Sequence, residues 1–192
     1  MFHLRSKLSC VELDRLKVDF NNIKDILIQI EDKKYYKHKG LDYKALVRAI
    51  FSQLKWYRKR HKILKCGGST INMQLARTIF IPNEQSEIKR KIMELFIAKW
   101  LYQILSKEDL INIYIASVRY GHKIHGLSDA LYKYFGLKNI ENHKLTKAQS
   151  FFLVERLSSK TSNVNDVRVE HLLQVCKDLE IDKMEVKELY NN

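Results

Sequence analysis

Proline and glycine are scarce in this chain, with one Pro and six Gly among 192 residues. So few turn formers leave little material for tight connections between many short strands, and long unbroken segments favour helices. The chain therefore reads as mainly α. Cysteine is sparse as well. Cys10, Cys66 and Cys176 are odd in number and far apart, which excludes a disulfide framework and the paired thiolates of a structural metal site. They read as three unpaired thiols. No stretch approaches the ~20 apolar residues that cross a bilayer. Residues 1–10 carry basic groups without an apolar run behind them, so neither a signal peptide nor a transmembrane helix is expected. Internal repeats and low-complexity tracts are lacking too.

What is present is a core and an excess of cations. Hydrophobic residues make up 45% of the chain, enough to bury the interior of one domain, with or without a small appendage. The net charge of +13 calls for an anionic partner: nucleic acid, an acidic lipid surface or a phosphate-rich substrate. Apolar spacing predicts one or two helices over residues 8–30, then helices over 43–56 and 69–80. Asn83 or Ser86 is expected to cap a long helix to about residue 105, and Ser106 to cap another to about 118. Helices over 127–135 and 146–157 follow, and one amphipathic helix over about 166–189 closes the chain.

Three segments carry chemistry. Glu31-Asp32 ends an apolar helix beside Tyr35, Tyr36 and His38. It is either a solvated acidic pair among lysines or a carboxylate that aromatic shielding turns into a general base. Gly67-Gly68-Ser69-Thr70 opens a helix carrying Arg77. Glycines permit close backbone approach, and free N–H groups at a helix start attract an anion. Arg90 and Glu94 share a helix face by their spacing of four. That helix is apolar nearly all round (Ile88, Ile92, Met93, Leu95, Phe96, Ile97, Trp100, Leu101), which predicts burial on every side, with its charges lining a cleft. Between the first two segments, residues 55–65 interleave Lys and Arg with Trp, Tyr, Ile and Leu. Such a run grips nucleic-acid phosphates or lies on an anionic membrane.

In order and content these segments resemble the peptidoglycan glycosyltransferases, glycosyltransferase family 51, found as monofunctional biosynthetic transglycosylases and in class A penicillin-binding proteins. The first family motif stands as Glu31, Asp32, Tyr35, His38 and Gly40. The second runs from Gly67 to Thr78, and the third stands as Arg90, Lys91, Glu94, Ala98 and Leu101. A fourth is visible in Lys107-Glu108-Asp109-Leu110-Ile111-Asn112-Ile113-Tyr114 and a weaker fifth from Leu145. Against the family pattern, Asn72-Met73 replaces Thr-Gln, Arg77 replaces a phosphate-contacting lysine, and Gln85 stands near a usual arginine. Asn112 and Ala116 replace a Glu and an Asn. The chain is identified as a divergent member.

The resemblance implies a lysozyme-like large lobe with a small, mobile, membrane-proximal lobe. Residues 1–23 would be a helical lead-in, 24–165 the glycosyltransferase domain, and 166–192 a helix packing on it. It also implies an inverting polymerisation of lipid II, the undecaprenyl-pyrophosphate-linked disaccharide, into a growing glycan strand. By position, Glu31 would be the general base on the acceptor 4-hydroxyl. Glu94 would assist at the pyrophosphate, directly or through a divalent cation, Mg2+ or Mn2+, with no organic cofactor. Ser69, Gln74, Arg77, Arg90 and Lys91 would hold the substrate. Trp56, Tyr57, Lys59, Arg60 and Lys62 would contact an anionic membrane from its outer, periplasmic face, peripherally. Cell-wall synthases are expected partners, and nucleic acid is not. The alternative is a non-catalytic descendant that binds lipid-linked glycan or a cell-wall partner.

Overall fold

The computed structural model describes residues 19–53, 67–81, 86–137, 144–157 and 165–191. Among these, the fold is helical: α1 (Asn21–Glu31), α2 (Tyr43–Gln53), α3 (Ile71–Phe80), α4 (Glu87–Ile104), α5 (Lys107–Ser117), α6 (Leu127–Phe135), α7 (Lys147–Leu157), α8 (Asp166–Val175) and α9 (Lys183–Asn191). The only β pairing among the described residues is two isolated bridges, Asp19 with Lys144 and Arg119 with His125. The mainly α class expected of a lysozyme-like lobe holds.

Short polar side chains set most of the helix starts, because they accept the N–H groups that the first turn leaves unpaired. Thr70 Oγ1 accepts from Met73 N, Ser86 Oγ from Lys89 N, Ser106 Oγ from Asp109 N and Asn165 Oδ1 from Arg168 N. Ser86 is thus the cap of α4. Helix α3 begins at Ile71 with Thr70 as its cap, two residues later than the spacing predicts. Gly136 ends α6 in the left-handed conformation, φ 67°, which glycine adopts without a Cβ penalty.

The main core joins α1, α5, α6 and α7 through Ile23, Ile26, Leu27, Tyr114, Leu131, Phe151 and their neighbours. Helix α3 packs on α4 and α5, and α1 packs on α7. A smaller cluster of Leu41, Met73 and Ala98 is backed by Leu46 of α2 and Leu95 of α4. Helix α9 returns onto α7, where Tyr190 Oη meets Glu155 Oε2 at 3.2 Å.

Two expectations need correction. The C-terminal segment is not one helix. A 3-10 turn at Lys177–Leu179 and Glu180 in the left-handed region, φ 50°, separate α8 from α9. That bend lets Val186 reach the core. Helix α4 is not buried all round either. Its inward residues are Glu94, Ala98 and Leu101, while Ile88, Ile92, Phe96, Trp100 and Ile104 form an exposed ridge. Their spacing of four puts them on one line along the helix. Apolar residues on both sides of a helix do not tell which side faces the core, and here the charged side does.

Candidate active site

The first motif folds as a turn latched to two helices. Its Tyr35 ring is fully buried, and its hydroxyl donates to Lys107 O at 2.7 Å. Lys107 Nζ lies 4.8 Å from the centre of that ring and donates to the carbonyls of Tyr35 and His38. One lysine thus clamps the turn from α5. Gly40 takes φ +85°, and a Cβ there would fall 2.9 Å from Tyr102 Cβ and 3.1 Å from Ala98 O of α4. Only glycine fits this crossing. Thr70 Oγ1 donates to Gly40 O at 2.8 Å, tying the turn to the start of α3.

Asp32 completes the latch. Its Oδ2 accepts from His38 Nε2 at 2.9 Å and from the backbone N–H of Ile71 at 3.1 Å. The free N–H at the start of α3 is therefore satisfied by the protein's own carboxylate. Asp32 is a structural anion rather than a second reacting group beside Glu31. Of the glycine pair, Gly68 has a packing role: a Cβ on it would sit 2.7 Å from Ala49 Cβ and 2.8 Å from Ala45 O, so α2 crosses directly over it, whereas a Cβ on Gly67 would meet nothing within 4 Å.

Glu31, the last residue of α1, turns the other way. Its Oε2 accepts from Gln74 Nε2 at 2.9 Å, and Gln74 Oε1 accepts from the Tyr114 hydroxyl at 2.6 Å. Burial, and next the charge of Glu31, push the Tyr114 phenol well above its ordinary range, while Arg77 pulls it the other way. Tyr114 therefore lies within electrostatic reach of both Glu31 and Arg77.

Glu94 is the most buried of the site's charges, with its side chain 1% exposed. Lys91 Nζ meets its Oε2 at 2.9 Å and also donates to Ser69 Oγ at 2.7 Å. Arg90 Nε and Arg77 Nη1 stand 3.8 and 3.9 Å from its Oε1 without forming hydrogen bonds to it. Three cations around one carboxylate leave an excess of positive charge. The three cationic side chains are 31–41% exposed, and apart from a 3.9 Å approach of the exposed Glu87 carboxylate to Arg90 Nη2 their outer ends face no other carboxylate among the described residues. Two underused guanidiniums suit a diphosphate, which takes forked donors.

Gln74 and Arg77 are three residues apart on α3, hence on one face. Through them, Glu31 and Glu94 attach to the same turn of the same helix. Ser69, Gln74, Arg77, Arg90 and Lys91 thus gather with both glutamates. Asn72 and Met73 are buried; Met73 fills the small cluster under α2. Trp56, Tyr57, Lys59, Arg60, Lys62 and Gln85 lie outside the described residues. Sequence reasoning gave no role to Tyr114 or Lys107, although both stand in the fourth motif. A tyrosine and a lysine among helical residues signal nothing until their partners on other helices are placed.

Among the described residues no group of three or more His, Cys, Asp or Glu is placed to hold a metal ion. Glu94, ringed by Lys91, Arg77 and Arg90, does not fit a resident divalent cation, because three positive neighbours repel it.

The whole is a helical lobe in which one turn of α3 links a lightly bonded carboxylate to a cluster of cations. A family model described as transglycosylase matches residues 6–184, and the chain belongs to that family. Among its relatives, the monofunctional glycosyltransferase of Staphylococcus saprophyticus is 33% identical over 82% of this chain and 57% of its own length. The biosynthetic peptidoglycan transglycosylase of Nitrosomonas eutropha is 34% identical over 72% of this chain and 53% of its own. Penicillin-binding protein 1A of Vibrio cholerae is 36% identical over 58% of this chain and 13% of its own. The chain spans about half the length of the monofunctional relatives.

Proposed function

We propose that this protein is a peptidoglycan glycosyltransferase that polymerises lipid II with inversion at the anomeric carbon. The observation that carries the reading is the attachment of Glu31 and the cation-ringed Glu94 to one turn of α3, through Gln74 and Arg77. Glu31 takes the proton of the acceptor 4-hydroxyl as that oxygen bonds to the donor's anomeric carbon. The bond from that carbon to the diphosphate breaks, and its electron pair leaves with the lipid diphosphate. Arg77, Arg90 and Lys91 meet the charge that develops there. Glu94 holds these cations in place, and Ser69 braces Lys91. The chemistry calls for no organic cofactor. Mg2+ or Mn2+ belongs in it only as a counterion arriving with the diphosphate.

The site of action in this reading is the outer face of the cytoplasmic membrane, with peripheral attachment. No helix among the described residues is long and apolar enough to cross a membrane. The ridge of Ile88, Ile92, Phe96, Trp100 and Ile104, with Phe80 edge-on to Trp100 at 6.2 Å, gives apolar area for the acyl region. The run holding Trp56, Tyr57, Lys59, Arg60 and Lys62 adds attraction to anionic headgroups. Cell-wall synthases are the partners such a polymerase serves.

The test is incubation of the purified protein with labelled lipid II, with and without a divalent metal, and sizing of the product. Long glycan chains support the reading. Binding of lipid II without any chain growth refutes it in favour of a non-catalytic descendant.

A further inference from the structure

We infer that Tyr114 is a positioning residue for Glu31 and acts through the Gln74 amide, a role that rests on the base assignment proposed above. A carboxamide has two ends of nearly equal shape and opposite character, one accepting and one donating. Which end faces Glu31 decides whether the neighbour attracts the carboxylate or repels it. The Glu31 carboxylate, which can only accept, favours the amide nitrogen, and the Tyr114 hydroxyl reinforces that choice from the other end. It donates to Gln74 Oε1 at 2.6 Å, which turns the amide nitrogen toward Glu31 Oε2 at 2.9 Å.

The geometry leaves little alternative. Tyr114 is 1% exposed on α5, so its hydroxyl has no ready exchange with bulk water and a buried donor needs a partner. Burial and the charge of Glu31 both keep the phenol protonated, so it remains a donor throughout the working range. Gln74 is the only hydrogen-bond partner of Glu31 among the described residues. One bond therefore aims the carboxylate and leaves Oε1 to take the proton. With phenylalanine at 114 the Gln74 carbonyl loses its partner. The amide is then held by Glu31 alone, and its hold on the carboxylate loosens.

Steady-state kinetics on lipid II test this with four proteins: wild type, Tyr114→Phe, Gln74→Ala and the double variant. Tyr114→Phe should lower kcat about tenfold, the scale of one hydrogen bond to a reacting group, with KM unchanged within about twofold. The double variant should be no slower than Gln74→Ala alone, because the path runs through the amide. A merely structural tyrosine would make the two losses multiply. Tyr114→Phe with wild-type kcat, or multiplying losses, overturns the inference and leaves the base assignment standing. A wild type that makes no glycan chains removes both. The Gln74 side-chain amide of the wild type, followed by nuclear magnetic resonance, gives a readout without any variant. Slow solvent exchange of the amide proton bonded to Glu31 is expected, and exchange as fast as that of an exposed glutamine contradicts a fixed orientation.

Discussion

Asp32→Ala removes the anion that joins the turn after Glu31 to the start of α3, and its cost follows from two bonds. Asp32 Oδ2 accepts from His38 Nε2 and from Ile71 N, and the side chains of Asp32 and His38 are both under one-tenth exposed. Water therefore screens the pair little. Hydrogen bonds to charged groups contribute about 1.5–3 kcal/mol each, and the backbone N–H of Ile71 makes no other hydrogen bond among the described residues. Together the two bonds set a loss of roughly 3–6 kcal/mol, a large fraction of ordinary domain stability. At about 2–4 °C per kcal/mol for a chain of this size, Tm should fall by roughly 10 °C. Asp32→Asn keeps one acceptor and loses the charge, so it should fall about half as far. Thermal melts followed by circular dichroism measure both. Glycan synthesis by the Ala variant, assayed well below its own Tm, should drop as well, because Glu31 and Gln74 lie on opposite sides of this joint. A melting temperature within about 2 °C of wild type would mean that the latch carries no such energy.

Other outcomes are equally specific. Phe96 is 74% exposed; a phenylalanine offers about 200 Å² of surface, so embedding it stabilises attachment by up to roughly 3–4 kcal/mol. Phe96→Ser with Trp100→Ser should lower co-sedimentation with anionic vesicles at least tenfold, and unchanged binding would remove the α4 ridge from the membrane contact. Burial pushes the Cys176 thiol from its ordinary 9.0 up to about 11. Its protonated form is favoured by folding, so its contribution is complete below pH 9 and declines as the pH climbs toward 11. In a Cys10→Ser, Cys66→Ser background the folded thiol should resist a disulfide reagent at pH 8 and react on unfolding; fast labelling of the folded protein would contradict that burial.

Helix positions were legible because caps and apolar spacing are local signals. Ser86, Ser106 and the segment Leu127–Phe135 behave as their neighbours in sequence dictate. The break between α8 and α9 was not, since no glycine or proline marks Glu180 and the bend is imposed by docking on α7. The face of α4 was misread for a related reason. Its composition gives apolar residues on both sides, and only the packing of Glu94 against α3 selects the inner one. Within the cleft, Arg90 and Glu94 were recoverable from helical spacing. Glu31 and Asp32 stood out together beside their aromatic neighbours, while the choice of Glu31 and the roles of Gln74 and Lys91 came from the family resemblance. The bond partners came from neither. Tyr114 reaches Gln74 across two helices, and Lys107 reaches Tyr35 from 72 residues away, distances that no sequence window spans.

The role of Glu31 is tested most directly by replacing one atom. Glu31→Gln keeps the shape and the contact with Gln74 but removes the proton acceptor. With labelled lipid II and a melting temperature matched to wild type, the variant should yield no glycan chains while still binding substrate. Chains formed by that variant at the wild-type rate would contradict the account.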